Sequence, residues 1–120
     1  MKIAFTTTDG EMIDLHFGQT SHFQIWEVGA DHARYRETVS VPEGDDDEED
    51  RIVRRAEALA GCSIVYTVAI GGPAAAKLVA RRIHPMKTGT VVAIADVIEK
   101  LQGVLKGTPP PWLRKAMEMT

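Results

Sequence analysis

The organisation of this chain is decided at residues 9–23, which read DGEMIDLHFGQTSHF. An alternating apolar segment at residues 2–6 precedes this stretch and another, at residues 23–28, follows it; both patterns predict strands with one buried face. A plain hairpin needs only about two to five connecting residues. The longer connection, with its polar and aromatic side chains, is therefore more typical of a functional loop. Its centre, His16-Phe17-Gly18, places a metal-capable imidazole beside an aromatic ring and a flexible glycine, although a single loop histidine is more often merely solvated.

The length of 120 residues predicts one domain, residues 1–120, with a single core. Hydrophobic residues at 44% and charged residues at 26% are ordinary for a globular protein. No apolar run approaches the roughly 20 residues of a membrane span, and the first residues lead into a strand instead of a signal peptide. We therefore expect a cytoplasmic protein. The single cysteine, Cys62, excludes an internal disulfide and an all-cysteine site within one chain.

Charge is distributed unevenly, although the net charge is only −3. Residues 1–50 contain three Lys/Arg and thirteen Asp/Glu, a net −10, whereas residues 51–120 contain eleven and four, a net +7. This asymmetry is compatible with a basic face that attracts an anion. It is equally compatible with an acidic loop and two ordinary helix surfaces.

The order of the patterns predicts an α/β fold with a mixed five-stranded sheet and flanking helices. Residues 34–41 predict a third strand, antiparallel to the second because their link is short. The acidic run 45–50 predicts the start of a helix, where acids cap the amides and complement the dipole. Residues 63–70 predict a central strand reached by a parallel crossover, and Pro85 predicts an edge strand at residues 83–87. Three antiparallel strands followed by parallel crossovers are compatible with a ribonuclease H-like sheet.

The last third of the chain predicts one more helix and a tail. Asp96 and Glu99 have the spacing of a capping box, and Gly107 has the position of a helix stop. Residues 108–120 begin with three prolines and predict a stiff step into a short amphipathic segment, a proline-led C-terminal tail.

Residues 70–82 join the predicted central strand to a helix through Gly71, Gly72 and Pro73. A glycine pair at such a junction presents unpaired N–H groups that attract anions. A tight turn with close helix packing is the simpler interpretation. The segment has neither the Gly-Lys-Ser/Thr of a Walker phosphate loop nor the three-glycine dinucleotide pattern.

Tests for catalytic residues favour a binding protein over an enzyme. Nucleases on ribonuclease H-like sheets hold two metal ions with acidic residues on the first strand and on the central strand. Asp9 could be the acidic residue of the first strand, but the predicted central strand, residues 63–70, contains no acid. The sequence has no Gly-x-Ser-x-Gly elbow and no zinc-ligand spacing of histidines. Cys62, beside a buried strand, is more typical of a small hydrophobic residue.

Four motifs occur in order along nearly the whole chain. They are Asp9-Gly10 with Ile13-Asp14-x-His16-Phe17-Gly18 and an aromatic at Phe23, then Ala69-Ile70-Gly71-Gly72-Pro73-Ala74-Ala75, then Ile83-His84-Pro85-x-Lys87, and Pro109-Pro110-Pro111-Trp112-Leu113-Arg114-Lys115. Together they resemble the dinitrogenase iron–molybdenum cofactor biosynthesis family, and most closely its NifX-like members. The resemblance implies a ribonuclease H-like domain without nuclease activity. It also implies binding of an iron–sulfur precursor of the nitrogenase iron–molybdenum cofactor, carried from the cluster-synthesising enzyme to the cofactor-assembly scaffold.

Carried over residue by residue, the resemblance implies that His16 is the cluster ligand, with Phe17 and Gly18 beside it. An imidazole is a more labile ligand for cluster iron than a thiolate is, as a carrier that releases its cargo requires. The anionic precursor could also be held by amides near Gly71 and Gly72 and by the ammonium group of a lysine. The first candidate for this lysine is Lys77 and the second is Lys87, and the candidates for a second metal ligand are Cys62 and His84.

Two other functions remain open. The first is a protein-interaction or regulatory module of nitrogen fixation that binds no cluster and docks through the Trp112 tail. The second is a metal-dependent hydrolase, which would need an acidic pair that the sequence does not offer. We expect neither a nucleic-acid nor a membrane partner, whereas two chains could form a homodimer around one cluster.

Overall fold

The computed structural model describes residues 1–41 and 47–118. Within them the predicted mixed α/β architecture is confirmed: a five-stranded sheet is flanked by helices, and a two-stranded sheet accompanies it. No described helix is long and apolar enough to cross a bilayer. In chain order the elements are β1 Lys2–Phe5, β2 Met12–Ile13, a 3₁₀ turn Phe17–Gln19, β3 His22–Val28, β4 Ala33–Ser40, α1 Glu48–Ala58, β5 Ile64–Thr67, α2 Gly72–Ala80, β6 His84–Lys87, β7 Val92–Ala93, α3 Ile94–Lys106 and α4 Pro111–Glu118.

The strand order of the large sheet is β4-β3-β1-β5-β6. β3 runs antiparallel to both β1 and β4, whereas β5 runs parallel to β1 and β6. β5 is therefore the central parallel strand that its continuous apolar sequence predicts. Pro85 lies on the edge strand β6, opposite Val65, where the missing N–H of proline is tolerated.

The alternation of β1 distributes its side chains to two separate layers of core. Ile3 and Phe5 face α3 and α4, where Phe5 stacks on Tyr66 with ring centroids 5.6 Å apart. Ala4 faces the opposite side and packs with Val65 among residues of α1 and α2. The period-2 pattern of the first strand thus places one pair of helices on each side of the sheet.

Helix α1 begins as its acidic sequence predicts. Asp47 is the N-cap, and its Oδ1 accepts a hydrogen bond of 2.9 Å from the Asp50 amide. The acids of the first turn complement the partial positive charge of the helix end. Asp45 and Asp46, which belong to the same predicted acidic run, lie outside the described residues.

Helix α2 ends in a Schellman motif. The Ile83 amide donates to the Leu78 carbonyl at 2.9 Å and the Arg82 amide to the Val79 carbonyl at 3.0 Å. The residue with left-handed backbone in such a motif is usually glycine, but here it is Arg82, with φ of 62°. A side chain at this conformation costs about 1–2 kcal/mol relative to right-handed backbone.

The predicted capping box at the start of α3 is wrong. The helix begins at Ile94, two residues before Asp96, and its N-cap, Ala93, makes no side-chain bond. The reason is tertiary: Val92 and Ala93 pair with β2, which brings the Glu11 carbonyl within 2.8 Å of the Ile94 amide. That carbonyl satisfies an amide that a capping side chain would otherwise bind.

The segment that follows the prolines is helical and joins the core. In α4, Leu113 is 2% exposed and packs with the residues of α3 and β5 on its side of the sheet. Residues 111–118 are therefore part of the domain's packing, whereas the sequence predicts a tail. Residues 119 and 120 lie outside the described range.

Candidate functional site

The His16-Phe17-Gly18 loop is anchored by its central aromatic ring. Phe17 is 1% exposed and lies 5.7 Å, between ring centroids, from Phe23 at the start of β3. The Phe17 amide donates to the Ala69 carbonyl at 2.9 Å. The loop is thus held against the residues that follow β5, and its two outer residues, His16 and Gly18, remain exposed.

Two buried threonines hold the start of this loop where β1 and β5 end. Thr6 Oγ1 donates to the Leu15 carbonyl at 2.8 Å and Thr67 Oγ1 donates to the same oxygen at 3.0 Å. The Val68 amide is a third donor, at 3.1 Å. Satisfied buried polar networks of this kind fix one arrangement of the chain. The position of His16 is therefore set from both neighbouring strands.

The carboxyl ends of β1 and β5 carry hydroxyl groups where a nuclease of this topology carries acids. The predicted first-strand acid, Asp9, is occupied in a turn: its Oδ1 accepts from the amides of Glu11 at 2.8 Å and Met12 at 2.9 Å. These hydrogen bonds, the one from Met12 foremost, lower the pKa of Asp9. This carboxylate is used to shape the loop.

A cleft of about 230 Å³ lies between the His16 loop, α1 and the start of α2. Phe17 and Gly18 form one wall and Gly71, with Pro73 and Ala74, forms another. The amino end of α2 presents its first amides at this place, because Gly71 is the N-cap and makes no side-chain bond. The predicted anion-attracting turn therefore lies beside Phe17 and Gly18 of the predicted ligand loop, whereas His16 and Gly72 are next to the cleft in sequence but do not line it.

The motif glycines at this cleft are not required by the fold. A Cβ built on Gly18 or Gly72 meets no atom within 4 Å, and one on Gly71 meets only the ring of Pro73, at 4.0 Å. None of the three has the positive φ that favours glycine. Open space in front of these backbones leaves room for a ligand to approach the main chain.

Two arginines and Glu48, all of α1, also line the cleft, and sequence reasoning missed both arginines. Arg51 Nη2 donates to the Gly18 carbonyl at 3.3 Å and Arg55 Nη2 to the Thr20 carbonyl at 3.0 Å. Burial lowers the pKa of Arg55, and the nearby guanidinium groups of Arg51 and Arg54 lower it further. Because like charges repel across this short helix face, a bound anion would relieve the repulsion. The four-residue spacing of Arg51 and Arg55 predicts that both lie on one face of α1. The sequence does not show that this face packs against the His16 loop.

Lys77, the lysine that the sequence nominates, has another partner. Its Nζ lies 3.6 Å from Glu49 Oε1 on α1, and the residue is absent from the walls of the cleft. The cationic role predicted for Lys77 is better served by the α1 arginines, which line the cleft directly.

Cys62 and His84 lie at the opposite end of β5 from His16. The Cys62 segment precedes this strand and the His16 loop contacts Ala69 beyond it; at about 3.3 Å per residue the two ends are roughly 20 Å apart. One chain therefore cannot bring His16 and either residue to the same iron atom. Burial also raises the pKa of the Cys62 thiol to about 11, which disfavours the thiolate needed for ligation.

His84 stacks on Trp112, with ring centroids 3.8 Å apart and planes 11° from parallel. This contact joins β6 to α4. The imidazole is thus engaged in packing and lies in a wall of a second, larger cavity together with Cys62.

The burial of His84 predicts that acidification weakens the domain. Burial lowers the His84 pKa below its ordinary 6.5, so the unfolded chain binds the proton more readily than the folded chain does. Its contribution to stability is complete above pH 6.5 and is lost as the pH falls through the folded-state pKa. In urea unfolding above and below pH 6.5, acidification should lower the free energy of unfolding more for the native protein than for His84→Phe, which keeps the stack. Equal losses would contradict the assignment.

Among the described residues, no group of three His, Cys, Asp or Glu side chains is close enough to hold a metal ion. Any cluster held at His16 would therefore receive few bonds from one chain.

Comparison with known proteins gives the same family that the motifs suggest. The family model for the dinitrogenase iron–molybdenum cofactor matches residues 1–103. The chain is 43% identical to NifX of Herbaspirillum seropedicae over 98% of its own length and 82% of that protein. It is 36% identical to NifX of Azotobacter vinelandii over its whole length and 77% of that protein. It is 39% identical to NifY of Azotobacter vinelandii over 98% of its length, which is 48% of NifY.

A solved structure supports the architecture. The crystal structure of PH0822 matches with a TM-score of 0.67 and 25% sequence identity, covering 86% of this chain and 89% of the other. The family model and the relatives each span most of the chain, including the His16 loop and the β5–α2 turn. The chain therefore belongs to the dinitrogenase iron–molybdenum cofactor family, which contains NifX and NifY and serves the biosynthesis of this nitrogenase cofactor.

Proposed function

We propose that this chain is a non-enzymatic cytoplasmic carrier that binds an iron–sulfur precursor of the nitrogenase iron–molybdenum cofactor and transfers it during cofactor assembly. Its partners are the enzyme that makes the cluster and the scaffold that matures it. One observation carries the proposal: the exposed imidazole of His16 stands on a loop anchored beside a cleft that contains two arginines and the amino end of a helix.

The chemistry of these groups suits an anion that must later be released. His16 supplies a single coordinate bond to iron, which scaffold thiolates can replace. Arg51 and Arg55 offer positive charge, and the first amides of α2 offer hydrogen bonds without a covalent commitment. Two copies of the chain could each contribute one His16, which is the form a homodimer around one cluster would take.

The ends of the central strands support the non-enzymatic part of the proposal. The strand order β4-β3-β1-β5-β6 is compatible with the ribonuclease H-like sheet that we propose for this chain. Where its nucleases place metal-binding acids, this chain has Thr6 and Thr67, both buried and bonded to the Leu15 carbonyl. These two hydroxyl groups hold the His16 loop in place. Under this proposal, the strand ends that carry catalytic acids in a nuclease have a structural role in this chain.

The interaction module remains the second candidate because of one surface feature. Trp112 is 37% exposed although it stacks on His84, and exposed tryptophan is enriched at protein interfaces. A module of this kind needs no cluster, so replacing His16 would leave its partner binding unchanged.

The test is an anaerobic titration with the isolated iron–sulfur precursor, followed by gel filtration and measurement of iron in the protein peak. His16→Ala should retain at least about tenfold less iron than the native protein, a loss of roughly 1.4 kcal/mol. Its thermal unfolding should be unchanged, because the residue is exposed.

Two matched variants sharpen this result. Cys62→Ala should retain iron like the native protein, because the thiol lies at the far end of β5. His16→Cys should retain the precursor but release it more slowly to the scaffold, since a thiolate holds iron more tightly than an imidazole does. Equal retention by His16→Ala and the native protein would remove His16 from the site, and no retention by either would sink the carrier proposal.

A further inference from the structure

A second cavity, of about 500 Å³, lies at the end of the sheet opposite His16. Its floor is formed by the residues that lead into β5 and β6, including Cys62 and His84. Its sides are the last turn of α2 and one face of α4. The cavity shares no wall with the cleft beside His16, so it needs an explanation of its own.

The charged residues that line this cavity, among those the structure describes, are all positive. They are Arg81, Arg82 and Lys115, and no described Asp or Glu lies in its walls. In the part of the chain that the structure describes, none of these three side chains forms an ion pair or a hydrogen bond. The chain as a whole has a net charge of −3. A local excess of three unpaired cations on an acidic protein is an electrostatic signal for an anionic partner.

The backbone of Arg82 is an independent indication that its side chain is used. Arg82 occupies the left-handed position of the Schellman motif, with φ of 62°, where glycine would avoid the strain. The fold therefore keeps a guanidinium at the mouth of the cavity at a cost in stability. Strain of this kind is found preferentially where a side chain has a functional task.

The apolar part of the cavity indicates a protein partner. Val79 is 59% exposed and Trp112 is 37% exposed, and both lie in the cavity walls between the cations. Tryptophan and arginine together are the residues most enriched among interface positions that dominate binding energy. A small inorganic anion would use the cations and leave this apolar surface unoccupied.

We propose that this cavity is a docking site for an acidic segment of a partner protein, in which carboxylates meet Arg81, Arg82 and Lys115 and an apolar side chain packs on Trp112. The proposal does not depend on the cargo bound at His16. It gives the chain a partner surface on one end of β5 and a ligand surface on the other, so that a partner could be held while the His16 loop stays accessible.

The test follows the indole N–H resonance of Trp112 by NMR while a short capped peptide of glutamate and leucine is added without any cluster. Trp26, whose indole donates to Gln24 Oε1 inside the domain, supplies the reference signal. The peptide should move the Trp112 signal and leave that of Trp26 in place. The same peptide with glutamine in place of glutamate should bind at least about tenfold more weakly, because charge-assisted hydrogen bonds are lost.

Arg82→Gly separates binding from folding. This variant should melt at a higher temperature, because glycine relieves the left-handed strain, and yet bind the glutamate peptide about fivefold or more weakly. Arg82→Lys, which keeps the charge, should bind nearly as the native protein does. Equal affinity for the glutamine peptide, unchanged binding by Arg82→Gly, or no peptide binding would each overturn the proposal. A response of Trp112 to inorganic phosphate but not to the peptide would overturn it in favour of a small-anion site.

Discussion

Phe17→Ala should lower the free energy of unfolding by about 3–5 kcal/mol, the range for removing a buried phenylalanine ring. The ring is 1% exposed and contacts Phe23 within the core layer between the sheet and α1 and α2. Its loss leaves a cavity beneath the ligand loop and removes the anchor that holds the Phe17 amide on the Ala69 carbonyl. Urea unfolding followed by fluorescence would measure the change in stability.

The loop should also become more mobile than the rest of the domain in this variant. The amide of residue 17 donates to the Ala69 carbonyl and the Val68 amide donates to the Leu15 carbonyl. Hydrogen exchange at these two amides should become faster than the loss of global stability alone would predict. Ile3→Ala is the matched control, because that side chain is equally buried but lies in the core layer on the opposite face of the sheet, on β1, which is paired on both sides. If both variants accelerated these amides only in step with global stability, Phe17 would be a core residue and nothing more.

Leu113→Ala should cost about 2–5 kcal/mol, as for other buried leucines. The side chain is 2% exposed and is the fully buried anchor of α4 in the core layer that contains Ile98 and Leu101 of α3. Since α4 also carries Trp112 and Lys115, its loosening should weaken peptide docking in the basic cavity. Urea unfolding and hydrogen exchange of the α4 amides would measure the two effects.

The neighbouring residue gives the control for this prediction. Arg114 is exposed, so Arg114→Ala should change the free energy of unfolding by no more than about 0.5 kcal/mol. A small cost for Leu113→Ala, similar to that for Arg114→Ala, would mean that residues 111–118 behave as the tail that the proline-led sequence predicts and not as part of the core.

The two surfaces of this molecule are separated by the length of β5. The cleft with Arg51 and Arg55 lies where the parallel strands end, and the basic cavity with Arg82 lies where they begin. The first is the common location of ligand sites in parallel sheets, where loops and helix amino ends converge. Under the two proposals made above, cargo exchange and partner binding would use different residues and would not compete.

Sequence patterns alone predicted the five strands of the large sheet and its mixed pairing, but not the two-stranded sheet of β2 and β7. Period-2 alternation in residues 2–6 and 23–28, the apolar run at 63–70 and the edge proline at 85 each depend only on burial and backbone chemistry. The motif at residues 16–18 and the glycine turn at 71–72 were predicted to serve one ligand, and the fold places them side by side.

Long-range packing sets which cations lie beside the His16 loop and which candidate ligands lie far from it. The sequence places Arg51 and Arg55 on one face of α1 but does not show what that face contacts. In the structure both guanidinium groups donate to carbonyls of the His16 loop and the residues that follow it. Cys62 and His84 are close to each other and far from His16, because a strand separates its two ends by its full length. The start of α3 likewise depended on a carbonyl from residue 11. Contacts between residues distant in sequence are set by packing of the whole chain, which local patterns do not encode.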